Sequence, residues 1–267
     1  MPSMPAYETA NPEGEPGVLL LCDHAANAVP TEVSGGDLGL PPADMARHIA
    51  YDIGARGVTL ELARLMNAPA VLSTFSRLVI DPNRGEDDPT LVMRLYDGSI
   101  VPGNRHAGPA EVAARLDAWH RPYHGAVRGA IDAAQARLGE GAAMTAAAPA
   151  AAAPGPALVS IHSYTPQLRG RAPRRWHVGV LWDEDPRLAR PLIDLLEAEP
   201  DLIVGDNEPY AGRLEGDTMW VHGSLRGLPH ALIEIRSDLI ETDAQQAHWA
   251  ARLAPILRAA LARMAAG

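Results

Sequence analysis

The sequence predicts an α/β fold, a three-layer α/β/α sandwich in which helices cover both faces of a mixed, largely parallel sheet. Short apolar runs typical of buried strands alternate with longer segments of helical periodicity, which is the pattern of strand–helix–strand units. Hydrophobic residues make up 47% and charged residues 21% of the chain, as in folded proteins. The predicted strands lie at 17–22, 70–72, 157–159, 176–182, 202–204 and 230–236.

Length and local composition indicate the domain organisation. A chain of 267 residues can bury the core of one large domain, which we expect over residues 17–267. Residues 1–16 are rich in proline and acidic residues and are expected to form an N-terminal tail. Residues 139–156 are rich in alanine and proline and are expected to form a low-complexity loop.

Charge and cysteine content exclude several classes of function. The net charge of -10 argues against nucleic acid as a partner, because phosphate binding requires a basic surface. The chain has no lysine, which excludes Schiff-base chemistry and Walker-type phosphate loops. Cys22 is the single cysteine, so an internal disulfide and a multi-cysteine zinc site are also excluded. With no membrane-length apolar run, we expect a cytoplasmic protein without a membrane partner, whose oligomeric state is left open.

The predicted helices carry two pairs of polar residues at helical spacing. Asp44 is expected to cap a helix reaching about residue 66, on which His48 and Asp52 share a face as a surface pair or as part of a metal site. A second helix begins near residue 109, and Pro122 is expected to kink or split it. His120 and His124 lie four apart on it, where packing or substrate contact is favoured over metal binding.

Histidines follow two of the predicted strands. His24 comes after strand 17–22, and His162, followed by Ser163 and Tyr164, comes after strand 157–159. Small molecules and ions bind at the carboxyl edge of open α/β sheets, so both histidines are candidates for binding one of them. Taken alone, His162 could equally be a packed and hydrogen-bonded residue at the end of a strand.

Charged residues complete a possible hydrolytic site. Arg84 lies in a turn, and its planar guanidinium suits a carboxylate or an oxyanion. Glu234 lies within the last apolar strand, where an ionised carboxylate must be paired or functional. Two histidines, an oxygen ligand, a glutamate base and an arginine form a coherent set for metal-assisted hydrolysis of an amide.

Several segments, in order, resemble the N-formylglutamate amidohydrolase family. The resemblance covers roughly residues 17–240. Shorter segments at 161–164 and 233–236 are similar to the histidine-ligand and general-base segments of zinc carboxypeptidases. Asp-Pro-Asn-Arg at 81–84 is similar to a segment of aspartoacylases. The segments that carry the family resemblance are 23–27, 48–54, 76–84, 161–166, 205–210 and 233–240.

The resemblance implies a zinc-carboxypeptidase-like fold that binds zinc or another divalent metal. It implies that His24 and His162 are metal ligands. Those relatives place a glutamate three residues after the first histidine, where this chain has Asn27, so the third ligand is open between Asp52, which we prefer, and Asn27. It further implies that Glu234 is the general base.

The resemblance also implies which residues bind the substrate. Arg84, with Asn83, would bind the oxyanion or the substrate's carboxylate. Other arginines would bind a carboxylate or hold Glu234 and Asp81 in place, and polar residues at strand ends would line the site. These further candidates are Arg77, Ser163, Tyr164, Arg175, Asn207, Tyr210 and Arg236.

The leading hypothesis is therefore a zinc-dependent amidohydrolase acting on a small anionic N-acyl amino acid such as N-formyl-L-glutamate. One alternative keeps the hydrolase but changes the substrate to another N-acyl amino acid, an amide or a short peptide. The other alternative is a non-catalytic binding module with a degraded metal site, which Asn27 favours.

Overall fold

A computed structural model describes residues 2–145 and 155–266 of the chain. The strands are β1 (Tyr7–Ala10), β2 (Val18–Cys22), β3 (Ala70–Ser73), β4 (Leu95–Tyr96), β5 (Ser99–Ile100), β6 (Ala157–Tyr164), β7 (Val178–Leu181), β8 (Val204–Asp206) and β9 (His230–Arg236). The helices are α1 (Pro42–Met45), α2 (Ala55–Met66), α3 (Pro109–Arg115), α4 (Arg121–Thr145), α5 (Pro186–Glu197), α6 (Thr218–His222) and α7 (Asp243–Ala266).

Seven strands form one sheet in the order β1-β3-β2-β6-β9-β7-β8, and β4 pairs with β5 in a separate hairpin. The four central strands, β3, β2, β6 and β9, run parallel. The strand β1 is antiparallel to β3, and β7 is antiparallel to β9. The predicted mixed, largely parallel α/β sheet is therefore confirmed. It brings the carboxyl ends of β2, β6 and β9 side by side.

Helices pack on both faces of the sheet because the central strands are apolar on both sides. Val159 and Ile161 of β6 share a core with residues of α2, α5 and α7. Leu158, which points to the opposite face, shares a core with Tyr123 and Val127 of α4. Full burial of such an aliphatic side chain stabilises the fold by about 1.5–3 kcal/mol.

The structure differs from the sequence prediction at the N-terminus and in the alanine-rich segment. Residues 7–10, within the expected tail, form β1 and extend the sheet by pairing Tyr7 with Ser73 and Ala10 with Ala70. Residues 139–145, expected to be loop, form the end of α4. Alanine is a strong helix former, so this extension follows from composition. The rest of the expected loop, up to residue 154, lies outside the described residues.

The predicted helix from Asp44 to about residue 66 is wrong over its first half. The short helix α1 ends at Met45, and α2 begins only at Ala55, after Gly54, whose φ of 78° is left-handed. A Cβ at Gly54 would lie 2.0 Å from the carbonyl oxygen of Ile240, so the close approach requires glycine. His48 and Asp52 therefore lie in irregular backbone between the two helices.

The helix that begins at Pro109 changes geometry shortly before Pro122. It runs as α3 and continues through a π-helical turn, Leu116–His120, into α4. In this turn the Arg121 N–H donates to the carbonyl oxygen of Leu116. Such turns are typical of functional positions and of sites where proline removes a backbone donor.

Candidate active site

Three buried side chains converge at the carboxyl edge of the central strands. His24 lies two residues after β2, and His162 lies on the neighbouring strand β6. The Nδ1 atoms of these histidines lie 3.4 Å and 2.8 Å from the same oxygen, Oδ2 of Asp52. The ligand atoms of the three residues all lie within 4.8 Å of one another.

Backbone hydrogen bonds fix Asp52 between the ends of β2 and β6. Its own N–H donates to the carbonyl oxygen of His24 at 3.0 Å. The N–H of Ser163 donates to Asp52 Oδ2 at 3.2 Å, and the Ser163 hydroxyl donates to the carbonyl oxygen of Ile53 at 2.7 Å. The irregular segment after α1 thus delivers a carboxylate to the two histidines.

Each histidine also contacts a second carboxylate through its other ring nitrogen. Asp81 Oδ1 lies 2.6 Å from Nε2 of His24, and Asp23 Oδ2 lies 2.8 Å from Nε2 of His162. A ring nitrogen that faces a carboxylate carries the proton and donates it, so Nε2 is the donor to Asp81 in His24 and to Asp23 in His162. Nδ1 of each ring faces Asp52. Burial would lower the pKa of His162, but its hydrogen bonds to Asp23 and Asp52 raise it well above the ordinary value, so this ring also carries a proton on Nδ1.

Asp23 is the centre of a fully buried hydrogen-bond network. Besides His162 it accepts hydrogen bonds from the hydroxyls of Tyr123 at 2.9 Å, Ser160 at 2.7 Å and Thr218 at 2.7 Å. Burial alone would raise the pKa of Asp23, but the hydrogen bond and charge of His162 hold it well below the usual range. The carboxylate therefore stays ionised and keeps His162 in one orientation.

Arg77 ties two of the carboxylates together. Its Nη2 lies 2.8 Å from Asp81 Oδ2, and its Nη1 lies 3.4 Å from Asp52 Oδ1. Burial would raise the pKa of Asp81, but the Arg77 guanidinium lowers it well below the ordinary value. Arg77 lines the cavity, and its guanidinium is engaged by these carboxylates. The ion pair with Arg77 restrains the Asp81 carboxylate.

The chemistry of the three converging groups fits a divalent metal ion. A divalent cation at their centre would take the place of the proton on Nδ1 and bind two imidazole lone pairs together with a carboxylate oxygen. Two histidines and one carboxylate are a common ligand set for catalytic zinc, which keeps a further position open. Asn27, the alternative third ligand, lies on the surface and donates to the carbonyl oxygen of Met45 at 2.9 Å, so the geometry favours Asp52.

Glu234 lies next to His162 across the sheet. The two residues are paired in the parallel register of β6 and β9. Only 6% of Glu234 is exposed, and its Oε2 has no hydrogen-bond partner within the described parts of the chain. Burial raises the pKa of Glu234 to about 7. A carboxylate with a pKa near the working pH is suited to accept and return a proton.

A cavity of about 170 Å³ extends from these residues to the surface. The Oδ1 of Asn83 accepts the N–H of Thr218 at 3.0 Å, and its amide NH₂ makes no hydrogen bond within the described residues. Arg84 donates through Nη1 to the carbonyl oxygen of Asn83 and through Nε to Thr90, and its Nη2 has no hydrogen-bond partner in the same part of the chain. The predicted residues that line the cavity are His24, Asp52, Arg77, Asn83, Arg84, His162, Ser163, Tyr164, Tyr210 and Glu234.

Three predicted substrate-binding residues lie outside the lining of this cavity. Arg175 is exposed, with its guanidinium 5.5 Å from the ring of Trp176. Asn207 uses its Oδ1 to accept the backbone N–H groups of Trp182 and Gly212. Arg236 pairs with Asp238 at 2.8 Å. Glu234 and Arg236 are two apart on β9, but Arg236 is the last residue of the strand, paired with Tyr164 at the end of β6.

Sequence reasoning missed the roles of several residues around the site. Asp23 and Thr218 were not singled out, although an aspartate directly before a strand-end histidine is a usable signal. Tyr96 lines the cavity from the β4–β5 hairpin, and His48, which the sequence assigned to a surface pair or a metal site, lines it from the segment before α2. Asp217 lines it as well, and burial raises its pKa to about 7. The residues that surround Asp217 come from distant parts of the chain, so the sequence did not indicate that it is buried in the site.

The fold and the site define an α/β enzyme with a buried His–Asp–His group that could hold a metal ion. A sequence model of the N-formylglutamate amidohydrolase family matches residues 17–241. The chain therefore belongs to that family and is an amidohydrolase, an enzyme that hydrolyses an amide C–N bond. The resemblance drawn from the sequence is confirmed.

Two solved structures are similar over nearly the whole chain. A gene product of Agrobacterium tumefaciens is 33% identical, with a TM-score of 0.85, over 97% of this chain and 96% of that chain. The N-formylglutamate amidohydrolase of Ralstonia eutropha shares the fold at 20% identity, with a TM-score of 0.60, over 94% of this chain and 98% of that chain. A search of curated proteins finds no match. Over residues 2–145 and 155–266, no helix has the length and apolar character to cross a membrane.

Proposed function

We propose that this chain is a zinc-dependent amidohydrolase that cleaves N-formyl-L-glutamate or a related N-acyl acidic amino acid. The observation that carries the proposal is the convergence of His24, His162 and Asp52 beside the buried carboxyl group of Glu234. The three converging residues would hold zinc or another divalent metal. A bound zinc ion would lower the pKa of a water molecule and polarise the amide carbonyl.

Glu234 is the proposed proton carrier. It accepts a proton from the attacking water, whose oxygen bonds to the acyl carbon, and returns it to the nitrogen when the C–N bond breaks. The products are a carboxylic acid and a free amine. The pKa of about 7 for Glu234, raised by burial, lets it accept and release a proton near neutral pH.

Asn83 and Arg84 supply the proposed anion contacts. The amide NH₂ of Asn83 and the Nη2 of Arg84, which have no partner among the described residues, are donors at the cavity wall. They would bind the oxyanion that develops on the carbonyl or the carboxylate of the substrate. Although the chain as a whole is acidic, this local positive charge would attract a small anionic substrate.

The test combines metal analysis with glutamate release from N-formyl-L-glutamate. We expect about one zinc per chain, activity lost with a chelator, and activity restored by zinc. Glu234→Gln should lower kcat by about 10²–10⁴-fold with zinc content unchanged, because it removes a general base without removing a ligand. The exposed Glu241→Gln is the matched control and should behave like the parent protein. A metal-free protein that is indifferent to chelator and zinc would refute the proposal.

A further inference from the structure

The cavity continues along β9 beyond the catalytic glutamate. Residues two apart on a strand point to the same face, so His230, Leu232 and Glu234 form one row. All three line the cavity. At about 3.3 Å per residue, the row from Glu234 to His230 spans about 13 Å. The cavity is therefore deeper than the space around the converging histidines.

This deeper part is apolar. Leu181 of β7 is paired with Leu232 of β9, and both are more than nine-tenths buried. Met219 of α6, which shares a core with Leu181 and Leu232, also lines the cavity, as does the neighbouring Trp220. We call this region the β9 pocket, lined by Leu181, Met219, Trp220, His230 and Leu232.

Charge divides the cavity into two ends. The arginines that line it, within the described residues, are Arg77 and Arg84, both from the segment that also carries Asp81. Beside the β9 pocket the charged lining residue is acidic, Asp183, which follows β7 and lies near His230 in the antiparallel pairing of β7 with β9. A substrate carboxylate is therefore attracted toward Arg84 and repelled from the β9 pocket.

The far end of the β9 pocket reaches the surface. His230 Nε2 lies 3.2 Å from the hydroxyl of Ser224, and Ser224 is exposed. Ser224 and Trp220 also line a neighbouring surface groove, which includes Leu225 with 63% of its side chain exposed. The β9 pocket is therefore open at its far end, and a long ligand could extend from it to the surface.

From this arrangement we infer that the β9 pocket binds an aliphatic N-acyl chain longer than formyl. The inference rests on the proposed amide hydrolysis and specifies its substrate class. The two arms of an amide leave the carbonyl group in opposite directions, so a carboxylate near Arg84 directs the acyl arm toward β9. A formyl group carries only hydrogen there and leaves the apolar walls without a partner. Water adds to the acyl carbon, the C–N bond breaks, and the products are a fatty carboxylate and the amino acid.

The first test measures glutamate release from N-acetyl-, N-butanoyl- and N-hexanoyl-L-glutamate, whose amide bonds have similar intrinsic reactivity. We expect kcat/KM to rise with chain length, by up to about fourfold for each methylene buried. The rate of free amino acid release from N-formyl-L-leucine is compared with that from N-formyl-L-glutamate. Equal or falling values along the acyl series overturn the inference, as does a preference for the leucine compound without any effect of acyl length.

A narrowing variant tests the location of the pocket. Leu232→Phe adds volume to its wall and should reduce kcat/KM for the hexanoyl substrate at least tenfold more than for the acetyl substrate. Leu195→Phe, on α5 in the opposite helical layer, is the matched control for overpacking and should preserve the ratio between the two substrates. An unchanged ratio in Leu232→Phe places the acyl chain elsewhere.

A binding measurement separates this inference from the proposed hydrolysis. In the Glu234→Gln variant, calorimetry should show N-hexanoyl-L-glutamate binding at least tenfold tighter than N-acetyl-L-glutamate. If the parent protein releases no glutamate from any substrate but this difference is found, the hydrolytic proposal fails and the β9 pocket stands. Equal affinities, or no binding of either compound, overturn the pocket.

Discussion

The Nε2 of His120 lies 2.9 Å from the carbonyl oxygen of Arg84, so an imidazole N–H fixes the backbone of the candidate anion-binding residue. His124 does the same one turn further along α4, with Nε2 at 2.9 Å from the carbonyl oxygen of Pro82. Its Nδ1 lies 2.9 Å from Nε2 of His222. Burial lowers the pKa of His120, and it lowers that of His124 to about 4, so both rings stay neutral and each donates one N–H.

The contact between His120 and Arg84 predicts an effect on turnover. His120→Leu removes the hydrogen-bond donor to the Arg84 carbonyl oxygen and lets the turn that carries Arg84 move. A small displacement of a group that positions the substrate can lower the rate by up to about 100-fold. We expect kcat/KM to fall by about 10–100-fold. His120→Gln keeps a neutral N–H donor at similar reach and should recover most of the loss.

A double-mutant cycle checks that His120 acts through Arg84. If it does, adding His120→Leu to Arg84→Ala should produce little further loss, because the group that it positions is already gone. Additive losses in kcat/KM would mean instead that His120 contributes to the general packing of the helix. Thermal denaturation of each variant completes the comparison.

Removal of the Asp23 charge should weaken metal binding. The Asp23→Asn variant keeps a single side-chain oxygen to accept the hydrogen bonds that the carboxylate receives from His162, Ser160, Tyr123 and Thr218. We expect a fall in zinc affinity of about 10–100-fold, the usual effect of losing a carboxylate behind a ligating histidine. Competition with a chromogenic chelator measures it. Asp194→Asn, on the exposed surface of α5, is the control, and equal affinities in the two variants would contradict the prediction.

The buried carboxyl group of Asp217 predicts a pH-dependent stability. Burial raises its pKa from 3.8 to about 7, so the folded state retains a proton that the unfolded state has released. The free energy of unfolding should therefore fall, by up to about 4 kcal/mol, as the pH rises from about 4 to about 7. Asp217→Asn keeps the N-cap acceptor for Trp220 and should be more stable than the parent at pH 8 but not at pH 4.

Asp185, which caps α5, is the control, because its stability effect should have the opposite dependence on pH. Although burial opposes it, the hydrogen bonds from Arg187 lower the pKa of Asp185. Its carboxylate thus stabilises the fold above the unfolded pKa, and Asp185→Asn should lose stability at pH 8. Chemical denaturation at both pH values measures the two variants. A gain at pH 8 for Asp185→Asn, or a loss for Asp217→Asn, would contradict this account.

Gly54 predicts a large effect on stability close to the site. Gly54→Ala places a Cβ 2.0 Å from the carbonyl oxygen of Ile240 at a φ of 78°. We expect a loss of more than about 2 kcal/mol, since the left-handed conformation alone costs about 1–2 kcal/mol. Gly129→Ala lies within α4 with no atom near the added Cβ, and it should raise stability by about 0.5–1 kcal/mol. Urea denaturation distinguishes the two outcomes.

The sequence was most informative where a feature depends on local pattern. His162 and Glu234 follow or lie within apolar runs that could only be central strands, so their meeting at one edge of a parallel sheet was predictable. For the candidate metal site, the sequence left the oxygen ligand open between Asp52 and Asn27. The geometry favours Asp52.

Features that depend on distant parts of the chain were not predictable. The break before α2 depends on Ile240, which packs against Gly54 from after β9. The hydrogen bond from Tyr123 to Asp23 joins α4 to the end of β2, and no local pattern indicates it. Likewise, the polar composition around Asn207 and Arg236 did not distinguish a turn that satisfies its own backbone from one that faces a substrate.

The in-register pairing of His162 with Glu234 has a consequence for how this family can diversify. A candidate ligand and the candidate base are held by the same backbone ladder in the middle of the sheet, the region of a protein that opens least. The reacting groups are therefore set before any substrate arrives. The outer wall, formed by loop residues between Tyr210 and Leu214, can change without disturbing them, so new substrates can be acquired by altering that wall alone.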